Sequence, residues 1–205
     1  MQTLKLAVVN RKGGAGKTTL AVNLAIALSD RVAVTIIDAD PQRSASIWLS
    51  GGDEHGVEVV LAGDATTLKN ELERARPGVV VVDCPPFDAE ISLVALDHAD
   101  LVLVPVAPSP LDLEAAAPLL RALATGARRG MAVLTMADVR TILYRDALEW
   151  LRVRGVPVAV VSIGRRVAFA EAAIAHLGVT DYDHGAAAVE TRLLADEVAG
   201  RLGVR

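Results

Sequence analysis

Six short apolar runs, rich in β-branched residues, recur along the chain at residues 6–9, 32–37, 79–82, 101–106, 131–136 and 158–163. None alternates with polar residues, which is how strands covered on both faces read, and helix-like stretches separate them. This restricts the chain to an α/β fold: a doubly wound, mostly parallel sheet flanked by helices on both faces. Helices are predicted at 18–28, 44–49, 66–74, 89–97, 113–124, 141–152, 166–176 and 186–202, and residues 57–61 can add an edge strand. Hydrophobic residues make up 52% of the 205, enough for a substantial core, and no repeat, low-complexity tract or linker divides them. A single domain over 1–205 is expected.

The joint between the first run and the first helix reads Arg11-Lys12-Gly13-Gly14-Ala15-Gly16-Lys17-Thr18-Thr19. Glycines at a strand-to-helix turn let backbone N–H groups wrap an anion. Lys17 is then placed to reach β- and γ-phosphates, and the Thr18 hydroxyl to ligate Mg²⁺. The usual G-x-x-x-x-G-K-[ST] spacing calls for glycine at 11; this chain has Arg11, followed by a second lysine, Lys12. Acids close two other runs. Asp38 and Asp40 occupy alternate positions at one strand end and therefore the same side, and Asp83 precedes Cys84-Pro85-Pro86. Ligands of doubly wound sheets bind beyond the carboxyl ends of the strands, so the loop and these acids should converge.

The spacing K-G-G-x-G-K-T resembles the deviant Walker A motif of the ParA/MinD family of dimeric ATPases. Ile36-Ile37-Asp38-Ala39-Asp40-Pro41-Gln42 is similar to that family's second ATPase motif, and Val81-Val82-Asp83-Cys84-Pro85-Pro86 to its Walker B. The likeness extends over nearly the whole chain and includes the short, ParF-like DNA partition proteins. It implies that Lys12 to Thr19, that is Lys12, Gly13, Gly14, Ala15, Gly16, Lys17, Thr18 and Thr19, hold ATP. It further implies that Asp38 and Asp83 join Thr18 at Mg²⁺, mainly through waters, and that Asp40 positions the attacking water. Lys17 would serve its own subunit, while Lys12 would cross a homodimer to the other subunit's nucleotide. Lys12, Lys17 and Asp40 are thus the expected catalytic residues.

Val104-Pro105-Val106-Ala107-Pro108-Ser109-Pro110-Leu111-Asp112 resembles a family segment at the nucleotide-dependent dimer interface, which nominates Pro108 and Pro110. Leu134-Thr135-Met136-Ala137-Asp138-Val139-Arg140-Thr141 resembles T-M-x-D-x-R-T, with Ala137 where an aromatic is frequent. Ile163-Gly164-Arg165-Arg166 resembles an I-P-R segment with glycine in place of proline, and the likeness nominates Arg165 and Arg166 for non-specific DNA binding.

Composition narrows the partners. A net charge of −4 argues against a surface coated for nucleic acid, although every cation after residue 100 is an arginine, suited to phosphate contact. The one cysteine, Cys84, excludes a disulfide framework and fits a reducing cytosol. His55, His98, His176 and His184 lack metal-ligand spacing. No apolar run approaches the roughly 18 residues of a membrane span, and with a first strand expected from Leu4 no signal peptide is expected. Acids on the segment 190–202 make it a packing helix rather than a membrane anchor.

The resemblance therefore implies a cytoplasmic, nucleoid-associated ATPase for plasmid or chromosome segregation. It would dimerise in ATP, bind DNA non-specifically, and be released by hydrolysis that a ParB-like centromere-binding activator or equivalent adaptor stimulates. A ParA-like positioner of protein compartments or other cargo is the alternative, because the adaptor sets the cargo. A small-molecule ATP-dependent ligase or kinase on the same scaffold would need a pocket of convergent polar groups, and the sequence shows no dedicated set.

Overall fold

The computed structural model describes residues 2–51, 55–86 and 88–204. Its six strands are β1 (Thr3–Val8), β2 (Val34–Asp38), β3 (Val57–Leu61), β4 (Gly78–Asp83), β5 (Leu101–Val106) and β6 (Gly130–Leu134). They form one sheet in the order β3-β2-β4-β1-β5-β6, every pairing parallel. The helices are α1 (Lys17–Ser29), α2 (Ser44–Trp48), α3 (Ala65–Arg74), α4 (Ala89–His98), α5 (Pro110–Ala124), α6 (Ile142–Val153), α7 (Ala168–Ile174), α8 (Val179–Tyr182) and α9 (Ala186–Leu202). The doubly wound expectation holds.

Side-chain burial explains the layers. β4 and β5 are buried at every position, so both faces of the sheet must be covered. On one face Leu6, Val8, Val79 and Val81 pack with α1, α2, α7, α8 and α9. On the other, Val80 and Val82 pack with Leu68 and Leu72 of α3 and Ile91 of α4, while Val102 and Val104 pack with α5 and α6. Every residue of α1 from Leu20 to Leu28 is buried, because α9 covers the side that the sheet leaves open. Gly178 admits this closeness: a Cβ there would stand 2.7 Å from Ile26 Cγ2. Buried Asn23 donates to the Thr19 carbonyl (2.8 Å) and accepts from Val179 N (2.7 Å), tying α8 to α1.

The sixth run is not a strand. Ala159 N donates to Ala132 O and Ile163 N to Leu134 O, both at 2.8 Å, so four residues of this segment span only two of β6. The surplus bulges outward, leaving Val160 86% exposed with its N–H on Glu197 Oε2 (2.8 Å). Isolated parallel bridges at Ala132/Val158 and Ala137/Gly164 are what remains of the ladder. Helix ends also shift. α5 begins at Pro110, a proline tolerated in the first turn, instead of at 113. α7 spans only Ala168–Ile174, and the chain then turns through a left-handed His176 (φ 57°) into the short α8, which the hydrophobic pattern did not suggest. Two sequence-distant histidines meet there: His55 Nε2 lies 2.6 Å from the His176 carbonyl, and Trp48 Nε1 donates to Leu177 O (2.9 Å). Trp48 belongs to the core, whereas Trp150 is half-buried beneath the Arg154 guanidinium, 3.9 Å from its ring centre.

Candidate functional site

The glycine loop leaves β1 at the middle of the sheet, where the chain first winds toward β2 and later toward β5. Gly14 (φ 75°) and Gly16 (φ 90°) hold left-handed backbone that other residues adopt at a cost, and they turn the loop back over the start of α1. No side chain caps α1. Its first N–H groups and its dipole therefore face the loop's concavity, an arrangement that favours an anion. The loop is braced from two sides. Asn10 donates to the Pro105 carbonyl (2.7 Å) and accepts from Lys12 N (2.9 Å), while Thr135 Oγ1 donates to the Ala15 carbonyl (2.9 Å). Neither brace is visible in the motif itself.

Lys17 is buried and its Nζ donates to the Lys12 carbonyl (3.2 Å). Burial lowers its pKa, against the pull of Asp83 and Asp40. A lysine left with one weak neutral acceptor is matched to a negative ligand. Lys12 behaves differently: its Nζ lies 2.7 Å from Asp112 Oδ1, while Asp112 Oδ2 accepts from Ser109 Oγ (2.6 Å). The lysine expected to reach into another subunit is thus held by an acid of its own chain. Asp112 was not singled out in the sequence, although its place three residues after the helix-capping Ser109 was a usable signal.

The acids converge as expected, since Asp38 and Asp83 are register partners on adjacent strands. Their surroundings differ. Asp83 is wholly buried, and neither carboxylate oxygen has a hydrogen-bond partner among the described residues. Burial pushes its pKa up to about 7; the Thr18 hydroxyl and Lys17 pull it down, and Asp38 and Asp40 push it further up. An orphaned buried carboxylate facing a hydroxyl is a donor set that Mg²⁺ fits, because the cation would supply the missing partner. Asp38 is already satisfied. Its Oδ1 accepts from Asp40 N (3.2 Å), and its Oδ2 from both Ser46 N (2.8 Å) and Ser46 Oγ (2.7 Å). Asp40 is half-buried and accepts from Gln42 N (2.9 Å).

A cavity of about 360 Å³ opens beside Gly16 and Thr19 and runs along α1 toward Trp48, Phe169 and Leu194. Arg165 and Arg166 lie on its wall. Arg166 is committed to Glu190 (2.5 Å to Oε1), which also accepts from Gly164 N (2.9 Å). Arg165 is exposed and has no side-chain partner among the described residues. Of the two arginines nominated for DNA, one is therefore spent within the chain. Pro108 and Pro110 line a separate hollow of about 130 Å³ with Leu143 and Trp150, on the segment that carries Asp112.

A braced glycine loop at an uncapped helix N-terminus, a buried lysine without a carboxylate partner among the described residues and an orphaned carboxylate on one parallel sheet define a P-loop nucleotide-binding protein. The chain belongs to the CobQ/CobB/MinD/ParA nucleotide binding domain family, which it matches over residues 6–179. It is 35% identical to the Maintenance of carboxysome distribution protein A of Halothiobacillus neapolitanus, covering 94% of this chain and 92% of that one. It is 32% identical to the chromosome-partitioning ATPase Soj of Thermus thermophilus, covering 97% and 96% respectively. The fold is shared with the septum site-determining protein MinD of Pyrococcus horikoshii, solved with Mg-ADP, at a TM-score of 0.80 and 18% identity over 96% of each chain. Among the described residues no helix is long and apolar enough to cross a membrane.

Proposed function

We propose that this protein is an ATP-hydrolysing, dimerising switch of the ParA type that distributes a protein compartment within the cell. The observation that carries the cargo is the 35% identity, over nearly the full length of both chains, to a carboxysome-distribution protein. Segregation of DNA, the main reading of the sequence, becomes the second reading, supported by the 32% identity to Soj over a comparable span.

Both readings share one mechanism. Mg-ATP supplies the phosphoanhydride bond and the charge that the loop is built to hold. Backbone N–H groups of Gly13 to Thr18 and the Lys17 ammonium would bind the phosphates, and Asp83 with Thr18 would hold the metal, which would neutralise phosphate charge. Phosphoryl transfer needs chiefly positioning and charge stabilisation, so the Asp40 carboxylate has the task of orienting the attacking water. The cavity beside Thr19 and Thr135 receives the base. Lys12 must leave Asp112 before it can act across a dimer, so ATP-driven pairing has to replace that 2.7 Å contact with a better one on the other subunit's phosphates. Arg165, free at the cavity rim, is the better of the two candidate DNA contacts.

Deleting the gene in its native host separates the cargoes. Compartments that cluster while DNA is inherited normally support positioning; loss of a replicon with compartments evenly spaced supports segregation. The shared switch is tested by ATP hydrolysis with and without duplex DNA, at low and moderate salt, using Lys12→Ala beside the wild type. Full ATP-driven dimerisation and turnover in that variant would remove Lys12 from the mechanism.

A further inference from the structure

The loop between β2 and α2 is closed by a contact that the nucleotide motifs do not account for. α2 starts after Arg43, which has left-handed backbone (φ 55°) and offers no side-chain cap, so the first N–H groups of the helix lack a local acceptor. Asp38 supplies one from eight residues upstream. Its Oδ2 accepts both the backbone N–H (2.8 Å) and the hydroxyl (2.7 Å) of Ser46, while its Oδ1 takes Asp40 N. A single buried carboxylate thereby grips both ends of the turn Asp40-Pro41-Gln42-Arg43-Ser44-Ala45. The same turn carries Asp40, and two residues beyond Ser46 stands Trp48, part of the cavity wall.

We propose that Ser46 is a positioning residue for hydrolysis: through its hydroxyl it holds the Asp38 carboxylate, and with it the turn that aims Asp40. This rests on the ATPase reading above. The hydroxyl matters separately from the backbone bond because Asp38 is 1% exposed, so a donor lost from its Oδ2 leaves a buried carboxylate oxygen short of a fixed partner. Without it Oδ2 keeps one donor, the carboxylate can rotate, and Asp40 N loses its fixed acceptor. Among the described residues the phosphate loop, Lys17 and Asp83 share no hydrogen bond with Ser46, so nucleotide binding should survive while the chemical step suffers.

The test compares Ser46→Ala and Ser46→Thr in the full chain. For Ser46→Ala, kcat is expected to fall about tenfold, as for loss of a charge-assisted hydrogen bond, with KM and Mg-nucleotide affinity within about threefold of wild type. Ser46→Thr keeps the hydroxyl and should stay within about threefold in all three quantities. In nucleotide-free protein the amides of Asp40 and Ser46 should exchange faster in the alanine variant alone. A threonine variant as slow as the alanine one, an alanine variant with wild-type kcat, or unchanged exchange at both amides overturns the proposal. Failure of the wild type to hydrolyse ATP would instead overturn the ATPase reading, while the exchange measurement still decides whether Ser46 clamps the turn.

Discussion

Asp38 and Asp83 sit side by side at the ends of neighbouring strands, both buried, yet one carboxylate has three hydrogen-bond donors while the other, near the Thr18 hydroxyl, has none in hydrogen-bonding geometry among the described residues. The donors give Asp38 a structural task, shaping the turn that carries Asp40. Their absence leaves the Asp83 carboxylate costly to keep charged, as its raised pKa reflects. On the proposed reading, unmet hydrogen-bonding capacity, more than position at a strand end, marks the carboxylate that would hold a cation directly, while Asp38 would act through waters.

The two acids should differ most in how they make stability depend on pH. The Asp83 carboxyl titrates near 7 in the folded, metal-free protein and near its ordinary 3.8 when unfolded. Between those values the folded state binds the extra proton, so stability should fall as pH rises from about 4 to 7 and level off above. The full effect is on the order of 4 kcal/mol. Asp83→Asn should flatten that slope and be the more stable protein at pH 8, as thermal melts in chelator would show; a slope kept in the variant would assign the titration elsewhere. Asp38→Asn should reduce the slope only in part, because it removes the push of the Asp38 charge and leaves the burial of Asp83, the larger cause.

Next in size is metal-dependent affinity. Asp83→Asn should weaken the gain in nucleotide affinity that Mg²⁺ confers by about 100-fold, and Asp38→Asn by about tenfold, as outer-sphere partners do. Calorimetric titrations with and without Mg²⁺ measure both, and equal losses would erase the distinction between the two acids.

A second contrast, between Lys17 and Lys12, predicts a smaller effect. Asp112→Ala frees Lys12 from a partly exposed ion pair, so ATP-dependent dimerisation should tighten by about fivefold in sedimentation experiments. Weaker dimerisation would show that Asp112 supports the dimer rather than holding the lysine back. Smallest is Thr191→Val. The Thr191 hydroxyl is the other buried group without a partner among the described residues, and it borders the cavity. If it touches no ligand, the apolar replacement should stabilise the protein by about 0.5–1 kcal/mol and leave nucleotide affinity unchanged. A drop in affinity would make it a contact to the base.

Much of this was legible in the residues. Continuous apolar runs have no exposed face to offer, so 101–106 and 79–82 could only be strands inside a covered parallel sheet. The helix 186–202 was visible in full because its apolar spacing is long and unbroken. The glycine loop and its acids carry their chemistry in residue type and spacing, which is why they could be placed from order alone. The run 158–163 misled because an apolar composition cannot reveal that the chain has more residues than the neighbouring strand can pair, and Val160 is expelled as a result. Which carboxylate is dressed, which arginine is spent on Glu190, and which lysine is tied to Asp112 depend on partners 8, 24 and 100 residues away. Only packing brings those groups within hydrogen-bond range, so the amino-acid sequence determined the sheet, the loop and the chemistry available, and the tertiary structure decided which of those groups remain free to use it.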